Sequence, residues 1–342
     1  MNDKPLDPSG IMQVGMGFWA SKILLTAVNM DLFTQLESKA MSASEIQESL
    51  RLHDRGLYDC LDSLVSLGFL SRKGLKDSAF YSNTPETSFF LDKKKPSYIG
   101  GLLIMANNRL YPFWGNLEEG LQTGLPQNET KNGLKPLFEE IYSDEARLNE
   151  FVRAMGGAQI GSFVALAQKF DFSNYKSMVD IGGAGGYLAI QIALNHNEIT
   201  CATYDLPPVG PVAEQIISEF NLSNRIDVLS GDFFSDELPK ADLITMGNIL
   251  HDWGTDDKKK LIAKAYSSLP AHGALIIIEN IIDDDRRENA FGLMMSLNML
   301  IETPAGFDYS AADFTQWASE CGFKKVETLP LAGPSSALIA TK

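Results

Sequence analysis

From Met178 onward the chain alternates short apolar runs with longer amphipathic segments, and this alternation limits the fold more than any other feature of the sequence. Each apolar run is about as long as one strand, and helix-sized stretches separate most of them: SMVDIG, TCATYDL, IDVLSGDF, ADLITMGNIL and ALIIIEN. Repeated strand–helix–strand units build a parallel sheet with helices on both faces. The sequence therefore predicts an α/β fold with a doubly wound, mostly parallel sheet. KKVETLPL and SALIATK would close it as the sixth and seventh strands.

The first hundred residues have a different pattern. Residues 11–36 are apolar or small on almost every side, which predicts a buried helix, covered here by a second subunit. Ser42 and Glu45 then form the capping box of a short helix. Asp54 is the expected cap of a second helix that ends at Gly68, and FLSRKG and AFYSN flank a turn like a hairpin. Helix, helix and hairpin in this order indicate a winged-helix arrangement.

Winged helices often bind DNA, but the charge of this chain argues against that function. The net charge is −15, whereas binding to phosphates or to an anionic membrane surface depends on lysine and arginine. The helix that would enter the major groove offers only Arg55 as a cation. We therefore expect a dimerisation domain over residues 1–103, no nucleic acid and no membrane partner. Residues 104–342 would form a helical linker and the α/β domain.

The remaining bulk features predict a soluble cytoplasmic protein. Cys60, Cys201 and Cys321 are scattered and have no metal-ligand spacing, so neither a disulfide framework nor a metal site is expected. The amino terminus has no signal-peptide pattern, and we expect no membrane span.

A glycine-rich turn, GGAGG at residues 182–186, follows the first predicted strand of the sheet. Glycines let a backbone turn tightly and approach a ligand, while the next helix presents its first N–H groups. Asp205 ends the second strand, where a carboxylate can accept both ribose hydroxyls of a nucleoside. Gly231, Asp232 and Phe233 end the third strand and offer a carboxylate and an aromatic face. Each acid alone is an ordinary turn residue, but together they favour a ligand that contains adenosine.

The type of adenosine ligand depends on Leu188. The dinucleotide fingerprint G-x-G-x-x-G starts at Gly183, and Leu188 stands where its last glycine should be. This favours a nucleoside without phosphates, such as S-adenosylmethionine, over NAD.

His251 follows the apolar run Ala241 to Leu250, at the tip of a predicted strand. A lone histidine there is most simply a strand cap, but the carboxyl edge of a parallel sheet is also where α/β enzymes keep their active sites. A histidine that titrates near neutrality suits a general base. The other three histidines, His53, His196 and His272, are expected at the surface.

Four motifs in fixed order, VDIGGAGGYLA, YDLPPV, GDFF and ILHDW, give the chain a recognisable pattern. The chain resembles the S-adenosylmethionine-dependent O-methyltransferases of the caffeic acid and acetylserotonin type, which include many bacterial enzymes of natural-product metabolism. The resemblance covers essentially the whole chain. It implies a class I methyltransferase domain, an amino-terminal winged-helix domain that forms a homodimer, S-adenosylmethionine as cofactor, and no metal.

The same resemblance implies roles for particular residues. Gly182 would contact the amino-acid end of the cofactor, Asp205 the ribose, and Asp232 and Phe233 the adenine. His251 would be the general base. Further residues at motif positions are two cofactor glycines and two acids that orient the histidine: Gly231, Gly247, Glu279 and Asp308. The sequence departs from the family at Gly247, where plant members often have lysine, and at AGFDYS, where the family has Gly-Gly-Arg/Lys-Glu-Arg-Thr.

A methionine-rich pocket is expected to hold the acceptor, a small, largely apolar aromatic or polyketide-like molecule with a hydroxyl group. Methionines at helical spacing are usually core residues, and packing explains at least half of these methionines equally well. The expected lining is Trp114, Phe151, Met155, Met294, Met295, Asn298 and Met299. Three alternatives stay open: nitrogen or carbon methylation, a protein of this fold that transfers no methyl group, and a regulator that senses the cofactor.

Overall fold

Two units share the chain in the computed structural model, Met1–Pro112 and Phe113–Lys342. The structure describes residues 6–95, 97–133, 141 and 144–342. The boundary that the sequence suggests, after residue 103, falls inside the first unit.

The first unit consists of helices around a three-stranded sheet. Strand β3 lies between β1 and β2 and pairs antiparallel with both. The order of helix, helix and hairpin expected from the sequence is present. Its elements are α1 (Ser9–Gly15), α2 (Gly17–Asn29), α3 (Leu32–Leu36), β1 (Met41–Ser42), α4 (Ala43–Leu50), α5 (Leu57–Ser66), β2 (Leu70–Lys73), β3 (Phe80–Asn83), α6 (Pro85–Leu91), α7 (Gly100–Met105) and α8 (Tyr111–Trp114), which reaches the second unit.

The two predicted helix caps have different outcomes. The capping box of Ser42 and Glu45 is confirmed at the start of α4. The prediction that Asp54 caps the next helix is wrong, because a 3-10 turn at Asp54–Gly56 comes before α5. The cap of that turn is the ring of His53, whose Nδ1 accepts the N–H of Arg55 at 3.1 Å.

The apolar amino-terminal segment forms several helices where one was expected, and its first part is exposed in this chain, as a surface that a second subunit would cover must be. It is broken at Met16 into α1 and α2, and α1 buries none of its residues. Val14 is 83% exposed and Trp19 is 59% exposed. By length and composition alone, residues 9–29 could cross a membrane, with a mean hydropathy of 1.4. An apolar surface of this kind marks an interaction site.

The second unit is a seven-stranded sheet with helices on both faces. Its elements are α9 (Leu117–Thr123), α10 (Glu145–Lys169), β4 (Ser177–Ile181), α11 (Tyr187–Asn195), β5 (Thr200–Asp205), α12 (Gly210–Glu219), β6 (Ile226–Ser230), β7 (Leu243–Gly247), α13 (Thr255–Ser268), β8 (Ala274–Glu279), α14 (Ala290–Glu302), α15 (Ala311–Glu320), β9 (Lys325–Pro330) and β10 (Ser336–Thr341). All seven predicted strands are confirmed.

The strand order is β6-β5-β4-β7-β8-β10-β9. The first five strands in this order are parallel, and β10 pairs antiparallel with β8 and β9. The chain winds from β4 first towards β6 and then, from β7, in the opposite direction. In such sheets a crevice forms at the carboxyl ends of the strands where the direction reverses, here between β4 and β7. The loops after β4, β5, β6, β7 and β8 meet at this edge.

Candidate active site

The glycine-rich turn after β4 is held in a conformation that side chains tolerate poorly. Gly182 and Gly186 have φ angles of +70° and +71°, and Ala184 between them has a φ of +46°. A Cβ at Gly182 would collide with the side chain of Ile249, and one at Gly183 with Thr203 Oγ1. Strain of this kind is typical of ligand-binding turns. Gly182 therefore exposes its backbone, without a side chain, beside Ile249 in the loop after β7.

Asp205 at the end of β5 braces the same turn. One carboxylate oxygen accepts the N–H of Ala184 at 2.9 Å, and the other accepts the N–H of Leu206 at 2.7 Å. Burial raises the pKa of Asp205, and the two N–H groups oppose that shift. Each oxygen keeps acceptor capacity, because a carboxylate has about four lone-pair sites.

A second acid lies beneath the turn. Asp180 is buried in β4, where its Oδ1 accepts the hydroxyl of Thr245 at 2.7 Å. Burial raises its pKa to about 7, although the bond from Thr245 acts in the opposite direction. Asp180 was not among the expected site residues, because its position inside an apolar strand gives no sign that it lies beneath the turn.

The turn after β6 brings aromatic rings to the site. Asp232 Oδ1 accepts the N–H of Phe234 at 2.8 Å, and the carbonyls of Phe233 and Phe234 accept the ammonium of Lys264 at 2.6 and 3.0 Å. The ring of Phe233 lies edge-on to Trp253, with the centroids 6.1 Å apart. A Cβ on Gly231 would collide with the Tyr204 hydroxyl. This turn is therefore fixed in place, with an aromatic ring near the glycine-rich turn.

Gly247, the last residue of β7, adjoins helix α10. A Cβ at this position would lie 3.3 Å from Gln159 Oε1 and 3.5 Å from the ring of Phe163. Gln159 Oε1 is buried and has no hydrogen-bond partner among the described residues. An unpartnered amide oxygen beside a bare strand end leaves a polar position open for a ligand.

His251 is buried, with 6% of its surface exposed, in a short 3-10 turn at Leu250–Asp252. Its ring faces two carboxylates: Nδ1 lies 3.4 Å from Asp308 Oδ1, and Nε2 lies 3.6 Å from Asp252 Oδ1. Glu279 contacts the backbone of the same turn. Its Oε1 accepts the backbone N–H of His251 at 3.0 Å, so that it fixes the turn, while Asp308 faces the ring.

Burial and charge act in opposite directions on the pKa of His251. Burial favours the neutral ring, but the carboxylates of Asp252, Asp308 and Glu279 favour the cation, and together they raise the pKa of His251 to about 9. Several polar atoms here have no hydrogen-bond partner among the described residues: His251 Nδ1, Glu279 Oε2, both carboxylate oxygens of Asp308 and the Tyr309 hydroxyl. Buried polar groups are normally paired, so this site is open to a polar ligand or water.

Two residues of the polar cluster around His251, Asp252, Glu279 and Asp308 were not expected from the sequence. Lys258 is fully buried, although it begins a run of three lysines that looks like an exposed helix face. Tyr309 is also buried, and its pKa is raised well above the usual value by burial and by the charge of Glu279. A signal for Lys258 was available, because it lies three residues before Leu261 on the apolar face of α13.

The expected acceptor residues are only partly brought together. Trp114 Nε1 donates to Asn298 Oδ1 at 2.9 Å, which joins α8 to α14. Phe151, Met155 and Met295 are half-buried, and Met299 is buried. Met294 is 51% exposed, so it does not line an enclosed pocket in this chain. Helix α14 also contacts the segment that carries Asp308, since Ser296 Oγ accepts the N–H of Asp308 at 3.1 Å.

Of the other histidines, His53 and His272 are exposed as expected. His196 is half-buried, contrary to expectation. Its Nε2 lies 2.7 Å from the carbonyl of Ala167, and its ring packs on Phe172.

Comparisons with known proteins agree along the whole chain. The family model for the O-methyltransferase domain matches residues 114–324, and the model for the O-methyltransferase dimerisation domain matches residues 12–93. The tetracenomycin polyketide synthesis 8-O-methyl transferase of Streptomyces glaucescens is 37% identical over 98% of this chain and 97% of its own length. An N,N-dimethyltransferase of Streptomyces rimosus is 29% identical over 95% of this chain and 94% of its own. Human N-acetylserotonin methyltransferase, solved in complex with S-adenosylmethionine, is similar with a TM-score of 0.90 and 27% identity. That match covers 100% of this chain and 99% of the human chain.

Proposed function

The chain belongs to the S-adenosylmethionine-dependent O-methyltransferase family, and from that premise we propose that it methylates a phenolic hydroxyl with His251 as general base. The observation that carries this proposal is the pairing of a buried imidazole with Asp308 at the carboxyl edge of the sheet. No other described histidine lies at this edge.

The residues present fit S-adenosylmethionine. The bare turn at Gly182 suits the amino-acid end of the cofactor, because a Cβ there would fill the space beside Ile249. Asp205 has acceptor capacity for ribose hydroxyls, and Asp232, Phe233 and Gly231 form the wall proposed for adenine. Gly247 and Gln159 leave room at the end of β7. When bound, the cofactor supplies a methyl group on a positively charged sulfur.

His251 would remove the proton of the acceptor hydroxyl. A phenol has a pKa near 10, and the raised pKa of His251, about 9, lies close to it, so that the proton transfer is nearly balanced. Asp308, whose Oδ1 lies 3.4 Å from Nδ1, would stabilise the imidazolium that forms. Glu279 fixes the backbone of the same turn. Much of the rate would come from holding the oxygen in line with the methyl group.

The acceptor that we propose is a flat, largely apolar ring system with one ionisable hydroxyl, of the aromatic or polyketide-like class. The half-buried Phe151, Met155 and Met295 and the buried Met299 supply apolar contacts that adapt to such rings. Asn298 supplies a polar group, and its orientation is fixed because Trp114 Nε1 can only donate. The similarity to a polyketide 8-O-methyl transferase supports this class.

Methylation of nitrogen is a second candidate, because an N,N-dimethyltransferase is similar over nearly the whole chain. An amine acceptor would need the same base only if it binds as an ammonium ion. The two candidates therefore differ in how the rate depends on His251.

We also propose that the enzyme is a homodimer joined through its amino-terminal domain. The exposed apolar surface of α1 and α2 lies within the region that matches the dimerisation domain. A second chain would cover this apolar surface better than a membrane would. The segment is broken at Met16, and the second half of α2 is buried in the core of the amino-terminal unit.

The test is incubation of the enzyme with S-adenosylmethionine and a panel of hydroxylated naphthoates and anthraquinones, with matched aromatic amines. We expect O-methylated products from the hydroxylated rings, identified by mass spectrometry, and much less product from an Asp205→Ala variant at limiting S-adenosylmethionine. Products only from the amines would overturn the phenolic assignment.

A further inference from the structure

Lys258 is the only described lysine that is fully buried, and it lies in helix α13 directly after the turn that carries His251. Lysine is almost never buried without partners, because removing an ammonium ion from water is costly. Its two neighbours in the sequence, Lys259 and Lys260, form surface ion pairs with Glu320 and Asp257. The environment of Lys258 therefore differs from that of the rest of its run.

The ammonium of Lys258 joins two segments of chain that carry the candidate catalytic residues. It donates to the carbonyl of Trp253, two residues after His251, and to the carbonyl of Phe307 at 3.0 Å, directly before Asp308. It also lies over the ring of Phe307, 3.6 Å from the centroid. The ammonium of Lys258 therefore fixes the position of Asp308 relative to His251 through the backbone of their two segments, by its bonds to Trp253 and Phe307.

The charges around this ammonium are mostly negative. Burial lowers the pKa of Lys258 to about 8, while the carboxylates of Glu279, Asp308 and Asp252 oppose that shift. Three carboxylates around His251 favour its protonated, charged ring. The ammonium of Lys258 is a second cation near the same carboxylates and offsets part of their effect. The groups that face His251 are Asp252 in its own turn, Glu279 at the end of β8, and Asp308. Tyr309 faces Glu279, and Lys258 is the cation of the cluster.

We propose that Lys258 is a positioning residue for methyl transfer, which holds the His251 turn against the Asp308 segment and limits the negative charge around the base. This inference rests on the proposed role of His251. A lysine that only filled space could be replaced by an uncharged side chain of equal length without changing the pH dependence of the reaction.

The test compares Lys258→Met, which keeps the length but removes the charge and the donors, with Lys260→Met on the exposed face of the same helix. We expect kcat of Lys258→Met to fall by about 10- to 100-fold with KM little changed, because a small misplacement of a reacting group can cost roughly 100-fold. The rising limb of its pH–kcat profile should move to higher pH by about one unit, since a cation near the base is lost. Lys260→Met should behave like the wild type.

Lys258→Gln provides a second variant if Lys258→Met does not fold, because it keeps a hydrogen-bond donor without the charge. It should regain part of kcat and keep the shifted pH profile. A wild-type kcat and pH profile in either folded variant would overturn the inference.

The same assay separates this inference from the proposed function. If His251→Ala retains the wild-type rate, the base assignment itself has failed. If His251→Ala is inactive while Lys258→Met and Lys258→Gln keep the wild-type profile, only the role of Lys258 has failed.

Discussion

Asp308 Oδ1 lies 3.4 Å from Nδ1 of His251, and both side chains are buried at the carboxyl edge of the sheet. The two residues come from different segments, one after β7 and the other between α14 and α15. The geometry leaves Nε2 as the atom that would meet an acceptor, with Asp252 beside it. A carboxylate at one ring nitrogen, with the other nitrogen left to meet the acceptor, is the arrangement that general-base catalysis by histidine needs.

The rate of methyl transfer should rise with pH. His251 must be neutral to accept a proton, and its pKa is about 9 in the folded chain. We therefore expect kcat/KM for the acceptor to increase from pH 6 towards a plateau above pH 9. A kcat/KM that does not change over this range would contradict the assignment of His251 as base. The measurement is a pH–rate profile at subsaturating acceptor.

The stability of the ligand-free protein should change in the opposite direction. The folded pKa of His251 is raised above its usual value of 6.5, so the stabilisation by its charge is complete below pH 6.5 and is lost as the pH rises through 9.

The pKa of Asp180 is raised to about 7, which also lowers stability between pH 3.8 and 7 as the proton is lost. The free energies of unfolding in urea of the wild type and of Asp180→Asn should therefore converge at low pH, separate between pH 3.8 and 7 in favour of the variant, and stay apart above pH 7. Parallel pH curves for the two proteins would contradict this account of Asp180.

Replacement of Asp205 should weaken cofactor binding. Asp205→Ala removes the proposed ribose acceptor and the bond to Ala184 that braces the turn. Hydrogen bonds to a charged group contribute about 1.5–3 kcal/mol, so Kd for S-adenosylhomocysteine should rise by about 10- to 100-fold. Calorimetric titration measures this directly, with Asp227→Ala on the exposed face of β6 as the control. Equal affinities of the two variants would exclude Asp205 from the cofactor site.

Much of the fold follows from the sequence, because the strands of the second unit are buried and therefore nearly continuous apolar runs. β8 is the clearest example, since all six of its residues are buried. The fold also placed Gly182, Asp205 and His251 at one edge, since parallel strands end together. Boundaries were harder where local interactions compete: Ala241–Leu250 reads as one strand, but β7 ends at Gly247 and Asn248 turns with a φ of +52°.

The polar cluster could not be derived in the same way. Lys258 looks exposed in a run of three lysines, and although its spacing to Leu261 puts it on the apolar face of α13, that spacing does not reveal its contact with the Phe307 segment. Glu279 and Asp308 were both expected to orient the ring. Their different roles depend on which side of the turn each loop approaches, and residue spacing does not encode that.

An added methyl group at Gly183 should destabilise the fold. A Cβ there would collide with Thr203 Oγ1 and lie 2.8 Å from Asp180 Oδ2. Overpacking of this kind costs about 1–3 kcal/mol, and thermal unfolding should show it as a lower Tm for Gly183→Ala. Gly56→Ala, where nothing lies within 4 Å of the new Cβ, is the matched control. If the two variants melt together, the turn after β4 is less tightly packed than the structure indicates.

A charge on the exposed amino-terminal helices should dissociate the proposed dimer. Val14→Glu would bury a carboxylate in the interface, which is costly unless the charge is paired. Sedimentation should show a monomer for Val14→Glu and a dimer for the wild type. Leu75→Glu, at a leucine in the hairpin turn that is 68% exposed, should remain dimeric. If Val14→Glu is still a dimer, the interface lies on another surface.

The central claim is that His251 performs the chemistry while other residues hold the cofactor. The most direct measurement is a single-turnover assay of His251→Ala, preloaded with S-adenosylmethionine and mixed with an acceptor found in the panel, with His272→Ala as the exposed control. We predict that methyl transfer by His251→Ala slows by about 100-fold to 10,000-fold, the usual contribution of a general base, while the affinity for S-adenosylhomocysteine stays close to that of the wild type. A variant that binds the cofactor normally and transfers the methyl group at the wild-type rate would contradict the account.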